Sequence, residues 1–174
     1  MITIDIIAHK IIPADKLRNL ISLWRFKDEK IVFTNGCFDI IHQGHLQTLA
    51  YAADQGTKLI VGLNTDASIR HLKGDERPIQ DQHSRALLLA SLSYVDAVVL
   101  FDEETPLHLI EQILPDVLVK GGDYRQEDIV GYDIVTQNEG AVMVVPFLEG
   151  YSTTNLIAKI KQNESTTDDE QQPS

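Results

Sequence analysis

Ile31-Val-Phe-Thr-Asn-Gly-Cys-Phe-Asp-Ile-Ile-His-Gln-Gly-His45 is a buried strand running into a glycine turn and a helix start. Ile31-Val32-Phe33-Thr34 is short, apolar and partly β-branched, as expected of a strand covered on both faces. Gly36 permits a tight, closely approachable backbone where that strand ends, and Gly44 does the same where the next helix starts. His42 and His45 are three apart, so on a first helical turn they share one face. Helix N-terminal N–H groups and two imidazoles then converge where a polyphosphate can bind.

Four further runs have the same character: Lys58–Leu63, Asp96–Phe101, Asp116–Lys120 and Ala141–Val145. Helical stretches are predicted between them near residues 44–55, 82–92, 106–113, 129–138 and 153–161, with one more near 14–25. Thr105-Pro106 reads as a hydroxyl N-cap followed by proline at the first helical position. Leu114-Pro115 ends that helix, because a residue before proline avoids the right-handed helical region. Strand–helix alternation implies right-handed crossovers and a doubly wound α/β domain of five parallel strands with helices on both faces. Ligands of such sheets sit beyond the carboxyl ends of the strands, where strand order reverses.

The chain has 174 residues, of which 43% are hydrophobic and 24% charged, so one globular domain with a substantial core is expected. Residues 1–27 are read as a helical extension, 28–161 as the catalytic domain, and 162–174 as a disordered acidic tail with no large apolar residue. The formal net charge of −11 disfavours nucleic-acid and anionic-membrane partners, which select a clustered basic face. No apolar run reaches the roughly 18–20 residues a membrane span needs, and no signal-peptide pattern is seen. Cys37 is the single cysteine, which excludes an internal disulfide and a Cys-rich zinc site and makes a reduced, cytoplasmic setting the default.

A lone histidine after a strand is best read as a surface or capping residue. Two of them as H-x-G-H, directly after a buried strand and a glycine turn, favour a phosphate site. Zinc is the weaker reading, since the pair supplies two ligands and Cys37 is no obvious third. With its neighbours, Gly-Cys-Phe-Asp-Ile-Ile-His-Gln-Gly-His45 resembles the signature of the cytidylyltransferase-like nucleotidyltransferases. Leu72-Lys-Gly-Asp-Glu-Arg-Pro78, Val117-Leu-Val-Lys-Gly-Gly-Asp-Tyr124 and Glu149-Gly-Tyr-Ser-Thr-Thr154 are similar, more narrowly, to the heptose 1-phosphate adenylyltransferases, in a form without the sugar-kinase half.

The resemblance implies a Rossmann-like nucleotidyltransferase sheet that transfers AMP from ATP, taken with Mg²⁺, to D-glycero-β-D-manno-heptose 1-phosphate. The products are ADP-heptose, for lipopolysaccharide or other surface glycans, and pyrophosphate. It implies His42, His45 and Lys73 as catalytic groups, with Lys73 in a glycine-containing loop. The nucleotide is expected to contact Gly36, Cys37, Phe38, Asp39, Gly44, Lys120 and Gly121, together with Tyr151, Ser152, Thr153 and Thr154 at the start of the last helix. Asp39, Lys73, Arg85, Asp123 and Tyr124 are the expected acceptor contacts, and no dedicated protein metal site is expected. The family likeness also implies a homodimer or higher homo-oligomer. A CTP-dependent enzyme for glycerol or ethanolamine phosphate is the alternative. Phe147 stands where those enzymes carry an arginine, and Asp102-Glu-Glu-Thr105 where they carry a substrate lysine. A nucleotide-binding sensor that kept the fold is the non-enzymatic alternative.

Overall fold

The five apolar runs become five strands, and their alternate residues enter two separate cores. The computed structural model describes residues 3–146, 148, 153, 156 and 157. In chain order the elements are α1 (Thr3–Ala8), α2 (Ala14–Phe26), β1 (Ile31–Gly36), α3 (Gln43–Ala53), β2 (Lys58–Asn64), α4 (Asp66–Lys73) and α5 (Gln82–Ser91). β3 (Ala97–Phe101), α6 (Leu107–Ile113), β4 (Val117–Gly121), a 3₁₀ turn at Gln126–Asp128, α7 (Tyr132–Gln137) and β5 (Ala141–Val145) follow. The sheet is parallel, in the order β3-β2-β1-β4-β5.

Side chains alternate across each strand. Ile31 and Phe33 of β1, Ile60 of β2 and Leu118 of β4 face one core with Leu17, Ile21 and Trp24 of α2. That helical spacing of four and three forms a single apolar stripe. Val32, Val61 and Val119 face the other core, against Leu49 and Ala52 of α3 and Leu89 of α5. The segment expected as an extension is therefore built into the domain, with Leu17 fully buried. Upstream of it, Ile12 N–H donates to Val98 O and Val98 N–H to Lys10 O, both at 2.8 Å, along the outer edge of β3.

Strand order reverses between β1 and β4, which pair through Val32 with Val117 and Phe33 with Leu118. The carboxyl ends of these two strands mark the expected ligand crevice.

Several local expectations change. α4 was not anticipated: it buries only Ser68 and Ile69, too little apolar surface to show a period. It is set instead by the Thr65 hydroxyl, which caps Ser68 N–H, and ended by Gly74 at φ 91°. Lys73 is consequently the last residue of a helix rather than part of a loop. Pro106, not Thr105, occupies the N-cap of α6. Leu114 avoids the right-handed region by turning left-handed, at φ 46°, instead of extended. Positions 153, 156 and 157 are helical, while the remainder of the expected last helix, with Tyr151, Ser152 and Thr154, and the acidic tail lie outside the described residues, as does Phe147.

Candidate active site

β1 ends at Gly36, and the chain turns through Phe38, a buried non-glycine residue held at φ 44°. Such a conformation is costly for a bulky side chain and is kept where the surroundings fix it. The Phe38 ring folds back over Gly36, where an added Cβ would stand 3.0 Å from its Cε2. Its other neighbour is His45, at 5.2 Å between ring centroids. Gly36→Ala is therefore expected to push Phe38 off the histidine and to lower turnover more than it lowers the melting temperature. Paired activity and thermal-melt measurements check this.

His42 is the N-cap of α3, extended at φ −136° and ψ 172°, and His45 lies on the first turn. Their rings stack with centroids 3.8 Å apart and planes 21° from parallel. Both Nδ1 atoms are buried and without a hydrogen-bond partner. Buried polar atoms in folded proteins are nearly always satisfied, so two orphans beside a helix N-terminus point to a ligand that satisfies them.

Burial, the neighbouring His42 and, more weakly, Lys73 push the His45 pKa down to about 4, against the opposing pull of the Ile40 carbonyl. Burial lowers His42 as well. The free protein thus presents neutral imidazoles at pH 7. A polyanion stacked against them favours their charged forms, so triphosphate binding is expected to draw in protons. Calorimetry at pH 6.5 in two buffers of different ionisation enthalpy measures that uptake; buffer-independent heats contradict it. The sign for folding is also fixed. The unfolded chain protonates His45 near pH 6.5 and the folded one near 4, so this contribution is complete above pH 6.5 and is lost as pH falls toward 4. His45→Ala should flatten the melting temperature profile across that window.

Arg85 and Asp39 hold the site together from below. Arg85, expected at the acceptor, is fully buried. Its Nε donates to Gln80 O, one terminal nitrogen to Cys37 O and Asn64 O, and the other to the Asp66 carboxylate at 2.7 Å. Asp39 is 2% exposed: Oδ1 accepts from the N–H groups of Ile79 and Gln80, and Oδ2 lies 2.8 Å from Arg77. As placed, both residues lock the motif turn to the end of β2 and to the 77–82 segment, and neither presents a polar atom to an acceptor. Gly122 N–H donates to Val145 O at 2.9 Å and so is not free for a ligand.

Beside the histidines a cavity of about 420 Å³ opens at the carboxyl ends of β1, β2 and β4. Asn35, Cys37, Asn64 and Lys120 line it, with Lys73 from the end of α4. Lys120 Nζ donates to Asn35 Oδ1 at 3.3 Å, and burial lowers its pKa. Tyr124 is on the wall, whereas Asp123 is not; Glu104 and Thr105, from the segment standing where related enzymes carry a substrate lysine, are also on the wall, as is Asp128, which no motif singled out. Glu104 and Asp128 carry no recognisable spacing, since they reach the cavity from two separate connections.

A profile of cytidylyltransferase-like domains matches residues 33–164. The chain belongs to the cytidylyltransferase-like family. Within it, the chain is 52% identical over 142 residues, 82% of its length, to the bifunctional protein HldE of Rhodopseudomonas palustris. It is 53% identical over 153 residues, 88% of its length, to that of Wolinella succinogenes. It spans 29% and 31% of those two relatives, about a third of their length. Among solved structures, a lipopolysaccharide core biosynthesis protein from Thermoplasma volcanium aligns at TM-score 0.55 and 26% identity, over 71% of this chain and 99% of that one. A pantoate–β-alanine ligase from Francisella tularensis, at TM-score 0.55 and 16% identity over 78% of this chain and 67% of that one, shares the fold. The cytidylyltransferase-like Rossmann arrangement thus accounts for the strand order and for a crevice at its reversal point.

Proposed function

We propose that this domain transfers AMP from ATP to the phosphate of D-glycero-β-D-manno-heptose 1-phosphate, giving ADP-heptose and pyrophosphate. The observation that carries the reading is the stacked pair His42 and His45, each with a buried unpartnered nitrogen, at a helix N-terminus near a cavity lined by Lys73 and Lys120. The histidines offer a seat for the triphosphate and the cavity one for the acceptor, the two meeting at Gly36, Cys37 and Lys120, which are expected nucleotide contacts on the cavity wall. The choice of acceptor is supported by likeness to the heptose 1-phosphate adenylyltransferases in Leu72–Pro78 and Val117–Tyr124 and by the HldE relatives.

The acceptor phosphate is already an anion at neutral pH, its second pKa being near 6, so no general base is required. An acceptor oxygen attacks the α-phosphorus, and the bond to the bridging oxygen of pyrophosphate breaks. The chain supplies alignment and positive charge where negative charge gathers. His42 and His45 would donate to the triphosphate together with the first N–H groups of α3, and Lys73 would lie between the two seats. Mg²⁺ is proposed to arrive on the triphosphate, as part of the substrate.

Among the described residues no helix is long and apolar enough to cross a membrane. A cytoplasmic setting is proposed because the reaction would consume ATP. A homo-oligomer is proposed from the family likeness, and size exclusion with light scattering tests it. Pyrophosphate release, screened with four nucleoside triphosphates against sugar and alcohol phosphates, tests the reaction. Release with ATP and heptose 1-phosphate is the expected result. Release only with CTP and glycerol or ethanolamine phosphate selects the alternative.

A further inference from the structure

Two carboxylates line the 420 Å³ cavity that transfer to a bare phosphate has no use for. Glu104 enters from the connection between β3 and α6, and Asp128 from the 3₁₀ turn between β4 and α7. Glu104 is exposed, and its Oε1 lies 2.9 Å from Nε2 of the equally exposed His71. Asp128 is exposed, and its main-chain N–H is fixed to Arg125 O at 3.1 Å.

Lys73 and Lys120 line the same space and suit a phosphate. A small alcohol phosphate seated there gains from the lysines and is repelled by the carboxylates. An ionised carboxylate only accepts hydrogen bonds, and O–H···O⁻ bonds are among the stronger ones. A ligand with several hydroxyls beyond its phosphate turns both carboxylates from a penalty into anchors. Leu72, Tyr124 and Ile129 supply apolar wall for the C–H faces of a ring. The volume falls within the range of ordinary small-molecule sites.

We infer that Asp128 and Glu104 are specificity residues that read the hydroxyls of a polyhydroxylated acceptor and turn away glycerol and ethanolamine phosphates. The inference rests on the proposed function for its acceptor class, and binding tests it independently of turnover. Calorimetry on the full chain, with a non-hydrolysable ATP analogue present, would use heptose 1-phosphate, glycerol 3-phosphate and inorganic phosphate as probes. Asp128→Asn and Glu104→Gln are each expected to weaken heptose 1-phosphate about tenfold, the value of one lost charge-assisted hydrogen bond. Glycerol 3-phosphate and inorganic phosphate should bind unchanged or tighter, and melting temperatures should hold. Unchanged heptose 1-phosphate affinity in both variants, equal losses for all three probes, or a wild type that prefers glycerol 3-phosphate overturns the inference. A wild type that binds heptose 1-phosphate and loses affinity in the variants, yet releases no pyrophosphate, supports it while sinking the adenylyl-transfer reading.

Discussion

Replacing His45 by alanine should reduce pyrophosphate release about 10²–10³-fold, the usual loss for one well-placed transition-state donor, with little change in melting temperature at pH 7.5. Alanine is the best helix former, so α3 survives the change. The stack on His42 and the contact to Phe38 vanish together, leaving His42 without the ring that orients it. The loss should appear mainly in kcat, because a donor that strengthens its bond as charge develops acts on the transition state more than on bound ATP. Turnover within threefold of wild type would remove His45 from the chemistry.

The second large effect concerns stability. Arg85→Met leaves Asp66 with an unpaired carboxylate and the carbonyls of Cys37, Asn64 and Gln80 without their donor. Removing one partner of a buried ion pair costs about 3–5 kcal/mol; Asp66, with 22% of its side chain exposed, is part-solvated, so about 3 kcal/mol is expected. For a domain of this size that is a fall of roughly 6–12 °C in melting temperature. Arg85→Lys should recover part of it, since an ammonium reaches Asp66 but cannot fork to the carbonyls of two strand ends. A melting temperature unchanged in Arg85→Met, with a raised acceptor KM, would return Arg85 to the acceptor role that its sequence context implies.

Arg85 also shows where sequence reading stops. A lone arginine on a helix looks like a solvated charge, and nothing in its spacing reveals that three carbonyls and a carboxylate converge on it from the motif turn, the end of β2 and the 77–82 segment. The five strands were legible because each is a β-branched run buried on both faces. α4 was not, because its buried face is just Ser68 and Ile69 and its limits rest on Thr65 and Gly74. The histidine pair was legible by spacing. Its neutrality was not, since that depends on how deeply the fold buries the two rings and on their stacking against each other. Asp128 remained unseen, and Glu104 was marked only as part of the segment standing where related enzymes carry a substrate lysine, because the cavity joins connections that are distant in the chain.

The short ladder between Lys10–Ile12 and Val98 has a consequence for solubility. Edge strands are open templates for adding a foreign strand, and unlimited stacking of sheets requires both margins to be free. Here the chain's own backbone already pairs with Val98, near the start of the β3 margin, which hinders recruitment from that side. Accretion starting at β5 would meet a partly covered far margin, so continued growth from this sheet is disfavoured while the ladder holds.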